Sequence, residues 1–567
     1  MAEDFSPRVD TRVAQQGADE RDLLDTLETL RKEAEEAKKA HCTHADGLTE
    51  EDDLKLYRGE VGPKDRFFDG NFTQAFIDRM VAQLTDNRPT LRVEHRKVGL
   101  RKTANTLGKA VTAIWQESDL QRQAYKMCHN AATMRSAGIY SGYDPVSDEI
   151  YFEVLRIPQV FCDPVVVEAG LIDRGEYLII ERINPLSEMR TRFPGRGALV
   201  KADASLTATR RSGKTVESPV TELIKKGGKD PISAVPRGKV YEAFIRDRQL
   251  ATDGTPLFPT YRQLIYTKDI VLSDGPEMYW DGLIPVDWFD WAVDPEHPWG
   301  ISCPSLIRRL QTSFNQIMDG TVENTLVSNF ISIVMDYDAL EPKRLAELQK
   351  IRSTLILRKT GQNKTIEIKP PPPYGADKVG IAKQLFTIAQ LLTGVTDVTL
   401  GESPGSLQSG VAIEGLQEGA NLMTRARASR LEDFFTRIGN KAIARILQFV
   451  TADRVFSFTG PTGEALDYAL QRQDLFIDDD NNPLDEKARR DVFKYLRFSV
   501  LPGSSAPGTR QRRAEMMMKL NMIGAASRKM VLQAADFPDP DQMLREADED
   551  FAKFPPPGFI RDKSALK

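Results

Sequence analysis

Hydrophobic positions recur every three to four residues through the first quarter of the chain. In 20-ERDLLDTLETLRKEAEEAKKAH-41, Leu23, Leu24, Leu27 and Leu30 share helical spacing and a polar tail follows, which predicts a surface helix poorly anchored at its start. The stretch 74-QAFIDRMVAQLTDNRP-89 predicts an amphipathic helix stopped by Asn87 and Pro89. Two more helices are predicted in 103-TANTLGKAVTAIWQESDLQRQAYKMCHNAATMRSAGIYSGY-143, closing at Gly138. The texture then changes. The runs 149-EIYFEVLRIPQVFCDP-164, 239-KVYEAFIRDR-248 and 261-YRQLIYTKDIVL-272 are short, β-branched and aromatic, and they predict strands. Between them, 201–238 has no period and is rich in Lys, Arg, Gly, Ser and Thr, the pattern of a mobile surface insertion.

Helical spacing returns at 304-PSLIRRLQTSFNQIMDGTVENTLVSNF-330, where Pro304 suits a first turn. A small mixed unit follows. The segment 331-ISIVMD-336 predicts a strand, 341-EPKRLAELQKI-351 a short helix, and 353-STLILRKT-360 with 364-KTIEIK-369 a hairpin about Gly361-Gln362-Asn363. The stiff run 370-PPPPYG-375 ends the unit, and 376-ADKVGIAKQLFTIAQLLTG-394 is helical again. Residues 406–450 run without proline, with Leu431, Phe435, Ile438, Ala442 and Ile446 on one apolar stripe. A helix over all of them is roughly 60 Å long. The tail, 509–550, is helical with a Met-rich stretch at 516-MMMKLNMIG-524. The whole is expected to be α+β and mainly helical.

Composition narrows the function classes. A length of 567 residues allows several domains. The net charge of −5 argues against a protein that wraps nucleic acid tightly by charge alone. The four cysteines lie far apart, which fits a reducing compartment. The acidic, polar start MAEDFSPRVD is not a signal peptide, and no apolar run approaches the roughly 20 residues of a membrane span. These features predict a soluble protein made inside a cell.

Candidate chemistry is sparse. Gly401-Glu402-Ser403-Pro404-Gly405 matches G-x-S-x-G, the nucleophile elbow of serine hydrolases. An elbow needs a strand before the serine, and here a predicted helix precedes it. Pro404 has no N–H to offer an oxyanion, and all five histidines lie upstream of Ser403. A Gly/Ser/Pro loop is the better reading, and a hydrolase using Ser403 is the disfavoured alternative. The segment 208-ATRRSGKT-215 lacks the first glycine of a phosphate loop and the strand before it. The cluster 41-HCTH-44 lacks the further ligands a metal needs. Four of the five tryptophans fall in 279-YWDGLIPVDWFDWAVDPEHPWG-300, and core packing is the expected role. No catalytic residue, metal or cofactor is expected.

The order of parts resembles the portal proteins of tailed bacteriophages. Asn87-Arg88-Pro89 resembles the family's early N-x-P element, and a helix closing at Gly138 before 157-IPQVFCDP-164 fits the same region. The run 181-ERINPLSEMRTRFP-194 resembles a segment of the wing. The run 276-PEMYWDGLIPVDWFDWAVDPEHPWGISCPSLIRRLQTSFNQIMD-319, with Gln311 and Asn315, resembles the entry to the stem. The stretch 393-TGVTDVTLGESPGSLQSGVAIEGLQ-417 resembles the tunnel loop, and 496-LRFSVLPGSSAPGTRQRR-513 a returning wing strand. Another virion structural protein, an adaptor or a scaffold, is the alternative.

The resemblance implies a portal fold with a long kinked helix. After an N-terminal helical arm (1–50) come a wing (51–301 and 452–508), stem helices (302–330 and 374–396), a clip (331–373), a tunnel loop (397–409), the long wing helix (410–451) and a crown of C-terminal helices (509–567). It implies a dodecameric homo-oligomeric ring at one capsid vertex of the virion, assembled in the host cytoplasm with capsid and scaffold proteins. Double-stranded DNA passes through its channel during genome packaging and ejection. The large terminase and later the head-tail adaptor dock on it, and no membrane is involved. Glu402, Ser403, Pro404, Gly405, Ser406, Leu407 and Gln408 would form the tunnel loop. Arg308, Arg309, Lys378 and Lys383 are candidate basic rings, and Lys343, Arg344, Glu347, Arg358, Lys359 and Lys364 candidate docking residues of the clip.

Overall fold

A computed structural model describes residues 17–43, 49–60, 68–86, 91–145, 147–202, 236–250, 254–328, 331–336, 354–359, 366–369, 376–395, 422–450, 454–459, 465–470, 475–477, 492–500 and 509–525, with a few single positions besides. Helices outweigh strands, and the fold is α+β. In chain order the helices are α1 (Gly17–Cys42), α2 (Glu50–Tyr57), α3 (Phe72–Thr85), α4 (Arg101–Glu117), α5 (Leu120–Met134), α6 (Leu186–Arg192), α7 (Cys303–Ser328), α8 (Ala376–Thr393), α9 (Leu422–Phe449) and α10 (Thr509–Met522).

The largest core forms where α3, α4 and α5 meet α9. Phe76, Ile77, Leu107, Val111, Met127 and Ala131 pack with the α9 residues Leu431, Phe434, Phe435, Ile438 and Ile446, all buried. The apolar stripe expected on the long helix is this buried face. Residues 406–421, over which the same helix was expected to begin, lie outside the described residues.

Two sheets stand beside this core. Strands β2 (Ser136–Asp144), β3 (Glu149–Arg156) and β9 (Val286–Asp290) form an antiparallel sheet with β2 in the centre. The second sheet runs in sequence order through β4 (Val160–Cys162), β5 (Tyr177–Pro185), β6 (Arg237–Ile245), β7 (Arg262–Tyr266) and β8 (Val271–Pro276). Successive side chains of a strand point to opposite faces, and β5 shows the result. Leu178 and Ile180 pack against Trp288 and Trp299, while Tyr177 and Ile179 face α1. Trp288, Trp291 and Trp299 are buried, so this cluster is core, as expected.

Three local expectations are corrected. The helix expected to close at Gly138 ends at Met134, and Gly138 lies inside β2. Arg135 takes a φ of 83°, which turns the chain from helix to strand. Gly138 pairs with Trp288, and a Cβ there would stand 2.3 Å from the Trp288 ring, so glycine is needed for close strand approach rather than for a helix end. Second, α1 is anchored from its first turn. The Glu20 carboxylate accepts from the Val271 N–H at 3.0 Å and pairs with Arg196 at 3.0 Å, and Leu27 is fully buried on the five-stranded sheet. Third, the two strands expected to form a hairpin do not pair. Strand β10 (Ile331–Asp336) lies between them, parallel to β11 (Thr354–Lys359) and antiparallel to β12 (Ile366–Lys369). Residues 337–353 are long enough for the crossover that parallel pairing requires, and Ile333 and Met335 of the central strand are buried. The helix expected at 341–351 lies outside the described residues, as does most of the 201–238 insertion.

The remaining strands are a β13 (Arg454–Thr459) and β14 (Ala465–Leu470) pair, and β15 (Leu496–Val500), which pairs with β1 (Leu91–His95). Among the described residues no helix is long and apolar enough to cross a membrane. All four cysteines are buried free thiols, and burial pushes each up to about 12. Leu27→Ala is expected to cost about 2–5 kcal/mol in denaturant unfolding and to speed amide exchange in β5 to β7. Exchange confined to α1 itself would contradict its role as the cover of the sheet.

Candidate functional site

Helix α7 begins on a buried polar latch. Ser302 accepts from the Ser305 N–H at 3.1 Å, capping the helix, and donates to Asp53 at 2.7 Å. Asp53 is fully buried in α2, and Arg308 pairs with its other oxygen. The same face of α7 continues downward at spacings of three and four residues. The Gln311 side-chain oxygen accepts from the Phe72 and Thr73 N–H groups at 3.2 and 3.3 Å, and its amide donates to the Gly70 carbonyl. Those two N–H groups open α3 and have no partner within their own helix. Asn315 donates to Asp69 at 2.8 Å, and Asp319 accepts from the Phe68 N–H at 3.1 Å. A ladder of polar side chains on one helix therefore caps and seats another more than 200 residues away in sequence.

Beside the ladder sits an aromatic cluster. Phe72 lies 5.4 Å from Phe314 of α7 and 5.6 Å from Phe386 of α8, both edge-on, and Phe76 also reaches Phe386. The cluster ties α8 to α3 and α7. Ala382, Ala389 and Thr393 complete the buried face of α8. A different face is apolar and uncovered: Ile381 is 48 % exposed, Ile388 44 % and Leu392 43 %, with the half-buried Leu385 in line. Spacings of four, three and four residues make these one stripe.

The candidate basic residues separate in this frame. Arg308 is committed to Asp53 and its side chain is only 11 % exposed. Arg309 is exposed on α7. Lys378 and Lys383 are both exposed on α8. Five residues apart, they stand about 140° apart around the helix, so they do not share a face. Lys383 and Thr387 lie on the flank away from the apolar stripe, whereas Lys378 continues the stripe by heptad steps to Leu385 and Leu392. On α9, Arg430 pairs with Asp290 at 3.1 Å. Arg427 instead lies 4.7 Å from the Trp291 ring, where burial pulls its pKa down.

Helix α8 closes at Gly394 (φ 78°), whose N–H donates to the Gln390 carbonyl at 2.8 Å. A Cβ on Gly394 would stand 3.2 Å from the Met423 sulfur, in the first turn of α9. The chain thus leaves and re-enters the helical hub at one point, and the segment between carries Glu402 to Gln408, which lie outside the described residues. Lys343, Arg344, Glu347 and Lys364 lie outside them too, while Arg358 and Lys359 end β11. Among the described residues no cluster of three His, Cys, Asp or Glu side chains could hold a metal. The His41 ring lies 4.8 Å from that of His297, tilted by 52°, and Cys42 is buried.

A family model of phage P22-like portal proteins matches residues 67–563, spanning the polar ladder, both paired helices, the loop and α9. The chain belongs to this family. No curated protein matches it. The portal protein is accordingly a virion component of a tailed phage, and its family is a structural one.

Two parts of the hub escape sequence reading. Asp53 looks like one of four acidic residues opening a surface helix. The apolar stripe of α8 is hidden because that helix is apolar on its buried face as well. The i, i+4 pair Gln311 and Asn315, polar within an amphipathic helix, was the legible signal of the ladder. Removing one partner of a buried ion pair leaves the other charge uncompensated, so Asp53→Ala is expected to destabilise the protein by about 3–5 kcal/mol. The double variant Asp53→Ala/Arg308→Met recovers a substantial part of that loss. Equal denaturation midpoints for wild type and the single variant would refute this role.

Proposed function

We propose that copies of the portal protein close into a dodecameric ring at one capsid vertex, through whose channel double-stranded DNA is packaged and later ejected. The observation that carries this reading is the uncovered apolar stripe of α8 (Ile381, Leu385, Ile388, Leu392), on a helix held rigidly by α3 and α7. An apolar stripe has no place against a wet channel or the solvent, and a neighbouring copy covers it. Lys383 and Thr387, on the other flank with exposed Gln384 and Leu391 beside them, are the polar part of α8 left to face DNA. A ring turns one such lysine into a circle of charge that stays weak at each point, as sliding DNA requires. The tunnel loop, residues Glu402 to Gln408, hangs from the junction of α8 and α9 and forms the narrowest collar.

In this reading 302–330 and 374–396 are the stem, 51–301 and 452–508 the wing, and 509–567 the crown. Residues 331–373 are the clip. Its Lys343, Arg344, Glu347, Arg358, Lys359 and Lys364 meet the large terminase and then the head-tail adaptor, while capsid and scaffold proteins hold the wing during assembly in the host cytoplasm. Arg308 serves inside the subunit rather than on the channel.

Negative-stain images of purified protein are expected to show rings with a central hole. Ile388→Asp is expected to reduce the ring fraction at least tenfold in mass photometry with an unchanged helical circular dichroism signal. Rings formed normally by this variant would remove α8 from the subunit contact. Deletion of 331–373 is expected to leave a folded wing and abolish terminase docking, and a truncated protein that still supports packaging would refute the clip assignment.

A further inference from the structure

The β1–β15 ribbon carries a basic face that neither the hub nor the channel uses. In its register Arg92 opposes Ser499, Glu94 opposes Arg497, and the Arg96 N–H donates to the Tyr495 carbonyl at 2.7 Å. Side chains of alternate residues share a face, so Arg92, Glu94, Arg96, Tyr495 and Arg497 point outward together. Leu496 and Phe498 point inward to the core. Arg497 lies diagonally between Arg92 and Arg96, about 7–8 Å from each. Lys97 extends the face over the Tyr495 ring at 5.1 Å, and exposed Arg101 follows the turn at Gly99 (φ 91°).

Along the ribbon and the turn that follows it, five cations accompany one carboxylate, Glu94, which lies 3.8 Å from Arg92. Arg96, Arg101 and Arg497 have no carboxylate partner among the described residues, and all are exposed. Arg96 and Arg497 also line a cleft of about 360 Å³ whose wall includes Asp281, itself engaged by Arg445 at 2.6 Å. The patch stands out in a chain of net charge −5. Val98, 96 % exposed at the turn, is the aliphatic side chain beside it. The cleft is lined in part by Leu283, Ile443, Phe493 and Leu496, whereas the ribbon face itself offers arginine forks, whose geometry suits phosphate oxygens.

We propose that the outward face of this ribbon, centred on Arg96 and Arg497 with Arg92, Lys97 and Arg101, is a second, sequence-blind contact for the phosphate backbone of double-stranded DNA, separate from the channel helices. The proposal rests on the portal reading only in that DNA is at hand. Contacts of this kind hold the duplex by its backbone and read no bases.

The test uses the full-length protein and a fluorescein-labelled mixed-sequence duplex of about 30 base pairs, with anisotropy followed as salt rises. Each neutralised phosphate contributes about 0.9 to the slope of log K against log salt. Arg96→Ala/Arg497→Ala is expected to weaken binding at least tenfold at about 100 mM salt and to flatten the slope by about 1.8. The same effect is expected in a Lys383→Ala background, which separates the ribbon from the channel, and Arg96→Lys/Arg497→Lys is expected to restore most of the slope. Wild-type affinity and slope in the double alanine variant, with an unchanged melting temperature, would overturn the proposal and point to an acidic protein partner. Imaging the same samples keeps the two readings apart: absence of rings counts against the portal ring, whereas rings with an unaltered slope count against the ribbon alone.

Discussion

The fold depends on how α9 buries its cations. One side of this helix is apolar and fills the main core. The other carries Arg430, Arg437, Lys441 and Arg445 against a row of aspartates in and around β9. Arg437 lies 3.6 Å and Lys441 3.1 Å from Asp287, while Arg445 pairs with Asp281 at 2.6 Å. Lys441, Asp287 and Arg445 are almost entirely buried. Such pairs add little net stability, because desolvation offsets attraction, yet each charge left alone costs several kcal/mol. The consequence is register. If α9 slid by one turn, Asp290 would lose Arg430 and Phe498 would meet a side chain in place of Gly439, so the long helix has one seat between the helices and the sheets.

That seat has consequences at both ends of α9. Its first turn touches Gly394, the end of α8, and Gly439 in its middle receives Phe498 of β15 so closely that a Cβ would stand 2.2 Å from the ring. Strand β15 pairs with β1, and the basic ribbon is thereby held by the same helix that frames the loop at the end of α8. The polar ladder of α7 is a second fixed joint, binding α2 and α3 to the paired helices. A subunit built this way is stiff at its centre.

These joints suit a structural component, the character of the family. Its polar side chains are spent on capping and register: Gln311 on the N–H groups of α3, Arg308 on Asp53, Lys441 on Asp287. Buried thiols with raised pKa values are poor nucleophiles. What the surface offers instead is extended: an apolar stripe on one helix and a basic ribbon on another part of the fold. In the ring proposed above, the first would repeat as a seam between neighbouring copies and the second as a belt of DNA contacts.

Much of this was legible from periodicity and order. Amphipathic helices, the strands β3, β4, β6, β7 and β8, the tryptophan core and the apolar stripe of α9 follow from local pattern, because burying one face imposes a 3.6- or 2-residue rhythm on any sequence that folds; the family was legible from the resemblance of its motifs in order, while β2, β5 and β9 were not read as strands. Contacts between distant segments were not legible in that way. Whether 20–41 floats or covers a sheet depends on what lies beneath Leu27. The identity of Gly138 as strand rather than helix end depends on Trp288 crossing it, and the three-stranded order of β11, β10 and β12 depends on which strand is central. The charge of Arg308 reads as a channel ring in sequence and becomes an internal ion pair only because α2 brings Asp53 to it. By itself the sequence determined which faces are apolar and in what order the elements come, since these are properties of neighbours along the chain. Only the tertiary structure decided which charges are spent inside the subunit and which remain outside, because that depends on long-range packing that no local rhythm encodes.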